Sequence, residues 1–165
     1  MDILVENDNL LVKIKSKGAE LVSIRSKETG VEYMWSGDPT FWAKTSPILF
    51  PIVGTLKEDT YLYKSKAYNL PRHGFARDME FQVTESANDY AVFALTSSPT
   101  SMGKYPFEFR LKIRYSLKGN SLHVNYAVGN EGTGEMYFSI GGHPAFKVPL
   151  IDGTRYEDYY LMFNK

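Results

Sequence analysis

The chain has no cysteine among its 165 residues, which excludes disulfides, thiolate nucleophiles and cysteine-ligated metals. It has no excess of charge: nineteen Lys and Arg balance nineteen Asp and Glu. A general nucleic-acid partner or an anionic membrane surface needs a concentrated basic face, so neither is expected. No apolar run approaches the ~20 residues that span a bilayer. Met1-Asp2-Ile3-Leu4-Val5-Glu6 carries acids where a secretory signal carries positive charge, so a cytoplasmic location is the expectation. Nucleophile elbow, phosphate loop, dinucleotide fingerprint and metal-ligand spacing of histidines are all missing; Gly132-Thr133-Gly134 lacks the strand-then-helix context of a nucleotide site. Neither a cofactor nor a metal is expected.

Aromatic residues, by contrast, reach 15% of the chain. Strands favour them and sugar-binding clefts use them, so the excess alone does not separate fold from function. The periodicity is that of strands. Phe107, Phe109, Leu111, Ile113, Tyr115 and Leu117 alternate with Glu108, Arg110, Lys112, Arg114 and Ser116. After the turn Lys118-Gly119-Asn120-Ser121 the phase restarts, with Leu122, Val124, Tyr126 and Val128 inward and His123 outward. Shorter alternations recur at Leu10–Ile14, Val31–Trp35, Met79–Val83 and Tyr90–Thr96, and no segment carries a sustained helical stripe. The expected class is all-β, an antiparallel sandwich without an internal linker. From Trp35 to Gly54, two prolines (Pro47 and Pro51) bracket an apolar run that suits an edge strand or extended segment, either lining a cleft or crossing between sheets.

Two of the three histidines sit in glycine-marked turns, Arg72-His73-Gly74-Phe75-Ala76-Arg77 and Gly141-Gly142-His143-Pro144-Ala145-Phe146. Imidazole exchanges a proton near neutral pH, which makes such placement a candidate for acid–base work. Pro144 disfavours helical backbone at His143, and the glycines allow close approach beside it. The run Met136–Ile140 is expected to deliver it at a strand end. The plain alternative is a histidine that finishes a turn by bonding a carbonyl. Beside His73, Arg77 is the better candidate ligand; Arg72, on extended backbone, should point away from its neighbour.

Taken in order, Ser46-Pro47-Ile48-Leu49-Phe50-Pro51-Ile52-Val53-Gly54, His73-Gly74-Phe75-Ala76-Arg77 and Gly142-His143-Pro144-Ala145-Phe146 resemble the aldose 1-epimerases, the galactose mutarotase-like proteins. The resemblance runs from near Met1 to about Phe146 and implies a β-supersandwich that interconverts α and β anomers of a hexose without cofactor. It implies that His143 donates a proton to the ring oxygen, that His73 bonds the sugar and polarises the same region, and that Arg77, Lys44 and Phe146 contact substrate. Relatives carry arginine near Lys44 and Thr45 and again near Thr55; here lysine replaces the first and the last is absent, which weakens a phosphosugar preference. The family's catalytic glutamate lies in a C-terminal half, and neither Glu131, Glu135 nor Glu157 sits in its motif. Residues 1–165 are therefore expected to be the N-terminal part of one sandwich domain, ending as a truncation that is inactive alone. Half a sandwich exposes strand edges through which copies could associate. The alternatives are a noncatalytic carbohydrate-binding module and an all-β interaction domain whose histidines finish turns.

Overall fold

The computed structural model describes residues 1–164. β1 (Asp2–Glu6), β2 (Leu10–Lys15) and β3 (Glu20–Ser26) form an antiparallel sheet in sequential order. Next come β4 (Ile48–Leu49) and the hairpin of β5 (Thr60–Tyr63) and β6 (Lys66–Asn69). β7 (Gln82–Ser86), β8 (Tyr90–Thr96), β9 (Phe109–Lys118) and β10 (Ser121–Asn130) make a second antiparallel sheet, ordered β10-β9-β8-β7. β11 (Gly141–Gly142) pairs with β4, setting Gly141 opposite Leu49 and Gly142 opposite Ile48. The all-β, antiparallel expectation holds.

The alternation in β9 explains the core. Phe109, Leu111, Ile113, Tyr115 and Leu117 are buried, and Arg110 and Lys112 between them are exposed. They meet Val5, Val12 and Ile14 of the first sheet in one cluster. Phe50, 0% exposed, joins this core through ring contacts with Phe75, Tyr105 and Phe109. The Pro-bracketed run is thus a buried crossover from Thr45 to Pro51, not a surface edge.

Three local expectations change. Residues Val31–Trp35 form isolated bridges, Arg25 with Glu32 and Met34 with Phe146, in place of a strand. Residues Met136–Ile140 make no ladder; Ser139 instead donates its N–H to the Pro51 carbonyl at 2.9 Å and accepts the Val53 N–H on its Oγ at 2.9 Å. A single helical turn, α1 (Pro99–Met102), stands where no helix is expected, because Ser98 caps it in a reciprocal box with Ser101. The apolar side of β10 is half-covered, and exposed large apolar side chains run from Tyr126 through Tyr137, Phe138 and Ile151 to Phe163.

Candidate functional site

The first histidine turn is stitched to the crossover by backbone. Phe75 and Ala76 donate to the Phe50 carbonyl at 3.0 and 3.2 Å, and His73 N–H donates to the Gly54 carbonyl at 2.8 Å. A Cβ on Gly74, whose φ is +72°, would lie 2.2 Å from the Phe50 oxygen, so only glycine lets the two strands of chain meet. His73 itself has φ of +66°. That left-handed step turns its ring back toward the crossover, and the Gly54 N–H donates to His73 Nδ1 at 3.0 Å.

Arg72 does not point away from His73: its Nε lies 3.2 Å from His73 Nε2, because the positive φ breaks the extended alternation. A neutral imidazole carries one N–H and cannot accept at both nitrogens. The backbone amide of Gly54 cannot turn aside, whereas the exposed Arg72 side chain can. The ring proton therefore belongs on Nε2, which is free to donate once Arg72 swings off. Loss of hydration, followed by the charges of Arg72, Arg77 and His143, lowers the His73 pKa below its ordinary value and favours this neutral form.

The second turn reaches the same place from the other side of the crossover. His143 N–H donates to the Pro47 carbonyl at 3.2 Å, and Ala145 N–H to the Thr45 carbonyl at 2.8 Å. Gly142 is bare where a Cβ would meet the Tyr126 hydroxyl at 2.9 Å. The His143 ring rests against Trp42, centroids 5.1 Å apart, and lies 6.2 Å from the His73 ring. Two residues seventy positions apart in the chain thus share one exposed patch.

The cations gather beside them. Asp78 lies 3.4 Å from Lys44 Nζ and 3.6 Å from Arg77 Nε, bridging the two, while Arg77 also donates to the Arg72 carbonyl at 2.8 Å. Phe146 is not brought to this patch. Its side chain lines a separate groove with Tyr33, Trp35, Leu122 and Tyr159. Trp42, Asp78 and the Gly54 amide are the contributors that sequence reasoning did not single out; Asp78, adjacent to Arg77, carried the one readable signal.

Among the described residues neither histidine pairs with a carboxylate. Glu131 pairs with Arg110 at 3.3 Å, Glu135 accepts from the Tyr137 hydroxyl at 2.6 Å, and Glu157 lies on the exposed turn Tyr156–Asp158. Among the described residues no group of three or more metal-ligating side chains occurs, and none of their helices is long and apolar enough to cross a membrane.

The antiparallel β fold is that of the galactose mutarotase-like proteins. The chain belongs to the aldose 1-epimerase family, whose model matches residues 1–165. It is 37% identical over 171 residues to the plasmid-encoded protein LacX of Lactococcus lactis subsp. lactis, covering 100% of this chain and 57% of that protein. A galactose mutarotase related enzyme from Lactobacillus acidophilus superposes with a TM-score of 0.93 at 40% identity, over 96% of this chain and 53% of that one. A galactose mutarotase-like protein from Lactobacillus casei gives 0.88 at 38% identity, over 92% and 52%. The chain therefore spans a little over half the length of these relatives.

Proposed function

We propose that the patch binds a hexose and contributes the acid half of an aldose 1-epimerase. The observation that carries this reading is the 6.2 Å approach of the His73 and His143 rings, with His73 locked by Gly54. In this account His143 gives a proton to the ring oxygen while a base removes the C1 hydroxyl proton. The bond from C1 to the ring oxygen breaks and a C1 carbonyl forms. Rotation about C1–C2 and closure on the other face, with both proton transfers reversed, yield the other anomer. His73, neutral with its proton on Nε2, donates to the same ring-oxygen region and holds the sugar without competing for the acid's role. Arg77 and Lys44 donate to hydroxyls. No cofactor enters, and the base is none of Glu131, Glu135 or Glu157.

Among the described residues no carboxylate pairs with either histidine, and this favours a second reading, a carbohydrate-binding module that does not turn over. Magnetisation-transfer NMR on equilibrated D-glucose separates the two. Exchange accelerated by a form of the protein that carries the base, and lost in its His143→Ala variant, supports the enzyme. Sugar-dependent shifts of the histidine rings without accelerated exchange support the binding module. Accelerated exchange that His143→Ala leaves unchanged removes His143 from the acid role.

A further inference from the structure

Glu20 opens β3 as a buried residue, 7% exposed. A carboxylate so placed costs several kcal/mol unless its lone pairs are filled. Its Oε1 accepts the N–H of Thr45 at 2.7 Å and the N–H of Ser46 at 3.1 Å. The Thr45 hydroxyl, 3.1 Å from the same oxygen, donates to the Leu21 carbonyl at 2.8 Å. Thr45 and Ser46 belong to no strand, so these charge-assisted bonds stand where ladder bonds would otherwise fix the chain.

The same short stretch carries one wall of the site. Trp42 and Lys44 precede it, and the Thr45 and Pro47 carbonyls receive the N–H groups of Ala145 and His143. A continuous path of hydrogen bonds thus leads from Glu20 through Thr45 to the His143 segment. On the other side of Glu20, the turn from β2 to β3 is itself immobilised. Tyr115 donates its hydroxyl to the Ala19 carbonyl at 2.8 Å, and Gly18 N–H donates to the Met79 carbonyl at 2.7 Å. A Cβ on Gly18 would lie 2.6 Å from the Arg77 oxygen. One rigid turn therefore abuts the Arg77 backbone at Gly18 and holds the crossover at Glu20.

We propose that Glu20 is a positioning residue, whose buried carboxylate fixes the Thr45–Ser46 backbone and thereby sets Trp42, Lys44 and His143 in register with the His73–Arg77 turn. It touches no substrate. Its role rests on the reading of the two histidines as one sugar site, but its geometric part does not need sugar to be tested.

The test follows the histidine ring protons by NMR in Glu20→Gln, Glu20→Ala and Glu20→Asp, without sugar and then with D-galactose. In Glu20→Gln the side-chain carbonyl oxygen takes the same two backbone N–H groups, so the His143 ring signals and sugar affinity stay near those of the parent. In Glu20→Ala the support is gone: the His143 signals move as its contact with Trp42 changes, those of His73, held by Gly54, stay, and affinity falls about tenfold or more. Should the alanine variant not fold, Glu20→Asp keeps the charge but is one methylene short, and it moves the His143 signals in the same selective way. Folded Ala or Asp variants with unmoved His143 signals, or with His73 displaced equally, overturn the proposal. Failure of any form of the protein to bind sugar defeats the proposed function and leaves the positioning role standing.

Discussion

At Gly54 the backbone amide, 3.0 Å from Nδ1 of His73, can only donate, so protonating that nitrogen costs a hydrogen bond. Partial desolvation and the charges of Arg72, Arg77 and His143 act in the same direction, and the His73 pKa falls below the ordinary 6.5. The unfolded chain then binds this proton more readily than the folded one. The stability contributed by His73 is complete above about pH 6.5 and is lost as the pH falls toward the folded midpoint. An NMR titration of the ring is expected to give a midpoint below 6.5, raised in Arg77→Ala; a midpoint at or above 6.5 in the parent contradicts the account. The pairing of the two histidines was readable as motif and order, but not the tautomer. That depends on the positive φ at His73, which nothing in a non-glycine residue type announces.

The first histidine turn differs from its surroundings as an element because backbone bonds to Phe50 and Gly54 and a close approach at Gly74 hold it in place of a ladder. Gly74→Ala drives a methyl group to 2.2 Å from the Phe50 oxygen at a φ of +72° and is expected to cost about 3 kcal/mol or more, read by denaturant unfolding. Gly119→Ala, at φ of +55° in the open β9–β10 turn with nothing within 4 Å, should cost about 1 kcal/mol. Equal losses would show that the Phe50 approach carries no special weight. The long strands were legible because period-two alternation survives wherever one face is buried, as from Phe109 to Leu117. The runs at Val31–Trp35 and Met136–Ile140 alternate or are apolar too, yet bind by isolated bridges and side-chain bonds. Part of their hydrogen bonding, Trp35 N–H to the Ala145 carbonyl and Ser139 N–H to the Pro51 carbonyl, goes to distant segments that no local pattern names. Glu20 was hidden for the same reason, since its partners Thr45 and Ser46 lie twenty-five and twenty-six residues on.

Over the whole molecule, apolar groups divide unevenly. Phe50 is wholly enclosed by aromatic rings, and Phe50→Ala is expected to lower stability by about 3–5 kcal/mol while loosening both histidine turns. Between Tyr126 and Phe163, in contrast, large apolar side chains stand in solvent. Residues 1–165 taken alone are expected to bind a hydrophobic dye and to sediment with a mass that rises with concentration; a dye-silent monomer across that range would contradict the expectation. The central claim, that His73 and His143 form one sugar site, is tested most directly by titrating D-glucose or D-galactose while following all three histidine rings. His123, exposed on β10, serves as the internal reference. The account predicts that the His73 and His143 signals move together and saturate at one sugar concentration while His123 stays fixed. Motion of neither, or parallel motion of all three, would contradict it.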